Sequence, residues 1–405
     1  MSRRVVIVGG GFGGVRTALD LHKRAPKDLD IWLISDKPHL EYHPSLHRVV
    51  SGEPYSLVRI PLREIFEDKI HVIQDIITQV DIHNKTVRGA SGTFYQADFL
   101  VLALGSQTTF HGIPGLKELA FGLKSIPDAL RLNTHLKELF RTTKAAIEED
   151  VEEFEEEEDE RRIYSMHIVI IGAGETGTEL AGELAVYTRE LAKRSNIDPS
   201  LITIDLVDSG PRILKRLPRD ISAKVQRRLR LLDVNLFLNR RVVKEEIRDI
   251  YLKDMVLKTL TVIWAAGVEP NGLYSRIEGL SLDKTRRVLV DRFLQPNALT
   301  DIFVIGDGAS TTYSGTAQSA ISQGRYVAEV IIRRIYRREL IPYTVKKPAH
   351  AIPVGSRWAA VAIGRLRFYG RVGWWLRQFA NLRFFLSILP PRKAWATFTN
   401  KSKPT

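Results

Sequence analysis

The apolar positions of this chain fall into short unbroken runs, each ending on glycine or an acid and most leading into residues with helical spacing. Val5-Val6-Ile7-Val8 is followed by a glycine stretch and then by Val15, Ala18, Leu19 and Leu21 on one helical face. A second run occupies 31–34. Residues 70–104 alternate strand-like and turn-like segments and close on Phe99 to Leu104, just before Gly105-Ser106. A helical pattern covers 127–160. The same grammar then restarts, with a run at 168–171, a helix over about 178–193 and a run at 202–207. Further runs at 261–266 and 301–305 precede a helix over 316–338. Unbroken runs of this length are those of parallel strands covered on both faces, and their alternation with helices predicts an α/β fold.

The turns carry the chemistry. Gly9, Gly11 and Gly14 spell G-x-G-x-x-G between strand and helix, and Gly172, Gly174 and Gly177 repeat the spacing. In such a turn the first glycine permits the bend and the second lets backbone approach a pyrophosphate. The third packs helix on strand, and the helix N-terminus offers its N–H groups to the anion. Each copy has an acid at the end of its next strand. Asp36 lies 22 residues beyond Gly14, and Asp208 lies 31 beyond Gly177. An acid there accepts hydrogen bonds from an adenosine ribose; a turn aspartate is the alternative, and the preceding glycine turn favours the ribose role. The pair of turns suggests two dinucleotides, of which a bound flavin and a diffusible nicotinamide are the usual combination. A duplicated unit with one inactive copy is the alternative. Asp307, after the run at 301–305, falls at the carboxyl end of a strand, where ligands of such folds bind.

Composition narrows the choice. The chain of 405 residues has no cysteine, which removes disulfides, thiolate metal sites and dithiol relays. No apolar stretch is long enough to span a membrane, and no signal peptide opens the chain. His39, His43 and His47 have helical spacing, but Pro44 interrupts them and no carboxylate cluster joins them, so no metal is expected. The 11 acids within 148–160 read as a solvated helix end or loop. The net charge of +13 is concentrated at one end, since residues 346–405 carry 12 Lys and Arg and no acid. That tail also holds four of the six Trp. Within it Trp375, Phe379, Leu382, Leu386 and Leu389 share helical spacing among Arg365, Arg367, Arg371, Arg377 and Arg383. Residues 365–389 are expected to lie in the plane of an anionic membrane surface. A homodimer interface, ordinary core packing and single-stranded nucleic acid are the competing uses; nucleic acid is not expected, because no RNA-binding motif accompanies the tail.

With these pieces the chain resembles the two-dinucleotide-binding flavoproteins, most nearly the type II NADH dehydrogenases, single-chain NADH:quinone oxidoreductases. The resemblance rests on GGGFGG at 9–14, LVLALGS at 100–106, GAGETGTE at 172–179, TVIWAAG at 261–267, FVIGDGA at 303–309, Ala317-Gln318 and the basic-aromatic tail. It implies FAD on Gly9, Gly11 and Gly14, with Asp36 on its ribose and Gly306 and Asp307 on its ribityl and phosphate side. His43 and Pro44 would stand against the isoalloxazine. NADH would lie on Gly172, Gly174, Gly177 and Asp208, with Glu179 near the nicotinamide–flavin contact. Phe12, Gly13, Lys37, Ala103, Gly105, Thr176, Ala266 and Gly267 join the cofactor-binding set. Ala317 and Gln318 match a quinone motif whose last glutamine falls on Ser322, with Gln323 one residue later. Glu175 stands where proline is common, and His43 where threonine is common. Asp208 favours NADH over NADPH, softened by Arg212 and Lys215.

The implied fold has two Rossmann-like domains. An FAD domain spans 1–162 and 268–345, an NADH domain 163–267 is inserted in it, and 346–405 form a membrane-facing appendage. The implied enzyme passes hydride from NADH to FAD and two electrons to quinone, without pumping protons, at the cytoplasmic face of the membrane. A soluble NAD(P)H reductase of a protein such as ferredoxin, or a flavoprotein resembling apoptosis-inducing factor with a binding role, are the alternatives.

Overall fold

A computed structural model describes residues 3–148, 166–296 and 299–399. The acidic run at 148–160 lies outside the described residues, apart from Glu148 at the end of the helix Ile126–Glu148.

Two five-stranded parallel sheets dominate, and they are built alike. In the first, Arg4–Val8 is central, with Asp30–Ser35 and then His71–Gln74 on one side, and Phe99–Leu102 and then Ile302–Val304 on the other. In the second, His167–Ile171 is central, flanked by Thr203–Asp208 and Val234–Leu238 on one side, and by Thr261–Trp264 and Phe121–Gly122 on the other. In each unit a three-stranded antiparallel meander, over 77–96 or 242–258, comes just before the strand Phe99–Leu102 or Thr261–Trp264. Phe99–Leu102 and Thr261–Trp264 are buried along their whole length, as strands covered on both faces must be.

The chain interlaces the two units. Phe121–Gly122 pairs with the second sheet although it precedes the second glycine turn, and Ile302–Val304 returns to the first sheet after it. A short antiparallel ribbon, Ser106–Thr108 against Val268–Pro270, carries both crossings side by side.

The C-terminal region differs from the expected appendage. Strands His350–Pro353, Ala359–Ile363 and Leu366–Phe368 form a meander, and the helix Gly370–Ile388 packs on it. Phe385, Ile388, Leu389 and Ala394 belong to the same apolar core as Ile7 and Ile170. The reason is that apolar side chains run all the way round this helix. One face, through Asn381, Phe385 and Ile388, is buried, while Val372, Trp375, Phe379 and Leu386 are exposed on the other. Leu389, grouped with the outer stripe by spacing, is buried. Among the described residues no helix is long and apolar enough to cross a membrane.

Candidate functional site

Both glycine turns are shaped by the same two close contacts and one opening. Gly9 has φ +118° and Gly172 φ +106°; a Cβ on either would press within 2.2 Å of Ala103 O or 2.7 Å of Ala266 N. A Cβ on Gly14 or Gly177 would strike the carbonyl of Gly9 or Gly172 at 1.9 Å. Gly11 and Gly174, in contrast, open onto space free of protein atoms within 4 Å. Glycine is thus forced by sterics at two positions of each turn, and the third leaves room for a ligand against the backbone. The helix Phe12–Arg24 starts at the first opening with no acid in its first turn and no side-chain cap on its N–H groups. That is the geometry that receives a pyrophosphate. Helix Ala317–Ile335 locks the first turn from behind, where a Cβ on Gly324 would meet Gly13 O at 2.4 Å.

Around the first turn, Asp36 is exposed at the end of its strand, as a ribose acceptor must be. Lys37 Nζ reaches Glu41 Oε2 at 3.0 Å, and His39 and His43 face the same carboxylate. Burial alone would raise the Glu41 pKa, but His39, His43 and Lys37 together hold it far below the usual carboxylate range. The three histidines therefore diverge: two attend Glu41, and His47 points elsewhere. Gly306 has φ +74° and donates its N–H to Gln323 Oε1 at 2.6 Å, while Asp307 accepts from Ser106 Oγ. Lys124 Nζ donates to Ser106 Oγ at 2.8 Å. Gly105, at φ +69°, lies in the open beside this group.

At the second turn, Asp208 is engaged with its own loop. Oδ2 accepts from Ala173 N–H at 2.8 Å and Oδ1 from Gly210 N–H at 2.7 Å. It braces the turn and keeps lone pairs for a further donor. Thr176 is exposed at the helix start. Glu175 is drawn to His350, with Oε1 at 3.0 Å from Nδ1. Gly267 is pinned against Thr109 O, which a Cβ would approach to 2.5 Å.

A buried cluster joins the two turns. Glu179, one turn into helix Glu175–Ser195, faces His47, with Oε2 at 3.7 Å from Nδ1. Burial pushes the Glu179 carboxyl up to about 8, while the Arg377 charge pulls it down and Glu175 adds to the rise. Burial pushes His47 down to about 3, helped by Arg377 and Arg48. At neutral pH both are uncharged, so this is a neutral contact and not an ion pair. Arg377 donates to Pro44 O at 2.7 Å from the inner face of the C-terminal helix. Beside it Tyr42 donates to Asn381 Oδ1 at 2.8 Å, and its ring stacks on Phe384 at 4.9 Å. Phe384 also meets Phe12, at the opening of the first turn.

Arg377, His47, Tyr42 and Asn381 were not singled out as site residues by sequence. The signal was the i, i+4, i+8 spacing of Arg377, Asn381 and Phe385, which marks a second face on the tail helix. The quinone-motif residues separate. Gln318 donates to Ala349 O at 2.6 Å and accepts from Ala349 N–H at 3.0 Å. Ser322 Oγ accepts from Tyr343 at 3.2 Å. Gln323 is buried between Gly306 and Thr311. Ala317 begins the helix.

A profile described as pyridine nucleotide-disulphide oxidoreductase matches residues 3–324. A type II NADH:quinone oxidoreductase of Mycobacterium tuberculosis is 31% identical over 92% of this chain and 82% of its own length. A structure of NDH2 from Plasmodium falciparum in complex with NADH superposes with a TM-score of 0.85, at 16% identity, covering 99% of this chain and 98% of that one. The sulfide:quinone oxidoreductase of Aquifex aeolicus shares the fold at a TM-score of 0.77 and 19% identity, over 98% of this chain and 92% of that one. The chain belongs to the pyridine nucleotide-disulphide oxidoreductase family and, within it, to the type II NADH:quinone oxidoreductases. With no cysteine, it has no protein dithiol to carry the family's disulphide chemistry.

Proposed function

We infer that the protein is an FAD-dependent NADH:quinone oxidoreductase working at an anionic membrane surface. The observation that carries this reading is the pair of glycine turns with the same close contacts, open at Gly11 and Gly174, joined by the buried Glu179–His47–Arg377 cluster. Bound flavin supplies the acceptor for hydride from NADH and the two-electron donor to quinone.

The chain does the rest. Gly9–Gly14 with Asp36 and Asp307 hold the resident dinucleotide, and Gly172–Gly177 with Asp208 hold the exchanging one. Phe12, Tyr42 and Phe384 exclude water from the junction. Glu179 holds a proton on its carboxyl at neutral pH, ready for a quinone oxygen. Arg377 fixes the loop at Pro44 and keeps the Glu179 pKa from rising further. Gln318 and its partner Ala349 form the edge beyond which the acceptor enters.

Val372, Trp375, Phe379 and Leu386 form an outer apolar stripe with Arg371 and Arg383 exposed on the same helix. A stripe of this kind suits the interfacial plane of an anionic leaflet, and the cytoplasmic one is the match. A homodimer across the stripe would bring these cations together with no acid in 346–405 to offset them, which favours lipid.

Anaerobic stopped-flow tests the reading. NADH should bleach the visible absorbance of the holoprotein, and menaquinone or ubiquinone in liposomes should restore it. Restoration by an oxidised redox protein such as ferredoxin, with no response to either quinone, would refute it.

A further inference from the structure

The short helix Leu46–Val50 and the helix Glu175–Ser195 meet in register. His47 faces Glu179, and four residues further along both segments Ser51 faces Glu183. Glu179 has a side chain only 12% exposed, and Glu183 is half-buried. Outside Ser51 lies the ion pair Arg48–Glu53 at 2.6 Å, with 31% and 37% of those side chains exposed. Two carboxyl groups therefore step inward from the surface along one helix face. Side chains four apart stand about 5–6 Å between Cβ atoms, a gap across which one bridging water passes a proton between two carboxyls.

Ser51 is the informative partner. Its hydroxyl has one hydrogen and two acceptors in reach, Glu183 Oε1 at 2.6 Å and Arg48 O at 3.0 Å. When Glu183 is ionised, Ser51 donates to it. When Glu183 is protonated, the hydroxyl turns to Arg48 O and receives the Glu183 proton as a hydrogen bond. The surroundings thus satisfy both protonation states, which a purely structural acceptor does not require. Burial pushes the Glu183 pKa up; Ser51 opposes this, Glu53 adds to it and Arg48 opposes it, with Glu190 a further neighbour on its own helix. The groups acting on Glu179 are Arg377, Glu175, His47 and Tyr42.

We propose that Glu183 is the outer station of a proton path that reloads Glu179 from the medium during quinone reduction. The proposal rests on the NADH:quinone reading above. NADH brings two electrons and one proton as hydride, and a quinone needs two of each to become a quinol. One proton per turnover therefore comes from the medium. The Glu179 O–H bond breaks as a quinol O–H bond forms, Glu183 passes its proton one turn inward, and solvent reprotonates Glu183 beside Ser51.

The test is Glu183→Gln in the full-length holoprotein, with Glu183→Asp and Ser51→Ala alongside. Gln keeps the shape and accepts the Ser51 bond but carries no exchangeable acid. Bleaching by NADH should keep its wild-type rate. Reoxidation by menadione should slow about tenfold or more, in the range for a displaced acid–base group. The deficit should widen with rising pH, the solvent deuterium isotope effect should grow, and Glu183→Asp should recover part of the rate. If Glu183→Gln is too unstable to purify, Ser51→Ala carries the same comparison. Wild-type reoxidation and isotope effect, or equal slowing of both half-reactions, would overturn the path. Wild-type protein that NADH bleaches but no quinone reoxidises would instead overturn the functional reading, and the path with it.

Discussion

Replacing Glu179 by Gln removes one titrating proton while keeping the side chain's shape, so its effect on stability is set by pH. A glutamate in the unfolded chain titrates near 4.5, and burial lifts Glu179 to about 8 in the fold. At pH 7 the unfolded side chain is ionised and the folded one is not. Folding must therefore take up a proton, at a cost of about 3 kcal/mol, rising to about 5 kcal/mol above pH 8. The sign follows from the raised value. Between about pH 4.5 and 8 the folded state binds more protons than the unfolded, so the wild type loses stability as pH climbs, then levels off. Glu179→Gln has no such slope. Thermal midpoints of the two holoproteins should nearly coincide near about pH 5, with the variant several degrees higher at about pH 8.5. Its quinone reductase activity should also lose the alkaline decline that deprotonation of Glu179 produces. A midpoint difference that stays constant across pH, or one that favours the wild type at alkaline pH, would refute the burial argument.

Three further outcomes are expected. Exchanging Trp375, Phe379 and Leu386 together for serine should abolish co-sedimentation with anionic liposomes while leaving NADH-driven dye reduction within about twofold, because all three side chains face solvent; retained sedimentation would remove lipid as the partner. Gly324→Ala should lower the thermal midpoint and weaken FAD retention, since its Cβ meets Gly13 O at 2.4 Å, whereas Gly364→Ala, with open space around it but φ +58°, should cost only about 1 kcal/mol of local strain; equal FAD loss in the two variants counts against the close approach. His47 has its pKa lowered to about 3, so it favours the fold above about pH 6.5 and loses that contribution as pH falls toward 3. His47→Gln should flatten the acid limb of the stability profile, and an unchanged limb would place the acid sensitivity elsewhere.

Much of the architecture was legible because glycine positions are dictated by hard contacts. Gly9 and Gly172 face a neighbouring strand's backbone so closely that no other residue fits, and that constraint is written directly in the sequence. The duplicated strand order follows from repeated apolar runs. What spacing could not show was where side chains turn. Asp208 sits at the expected strand end, yet its carboxylate folds back on Ala173 and Gly210. Gln318 is paired with Ala349, a residue 31 positions away that no local pattern brings to it. Arg377 is one of five arginines within 365–389, and only the packing of the helix on Tyr42 and Pro44 separates it from the rest. Spacing marks only the outward stripe of the tail helix, because a second apolar face makes no separate signal in a helix that is apolar all round.

That two-faced helix sets a length scale. Trp375 and Phe379 point outward from the same element that sends Arg377 inward to Pro44, and an α-helix with its side chains is only about 10–12 Å across. With the outer face resting in lipid, an acceptor would leave the bilayer by no more than that thickness to meet the buried cluster. A long-tailed quinone could then be reduced at its head while most of its chain stayed dissolved among acyl groups, and no soluble carrier would be needed to ferry it.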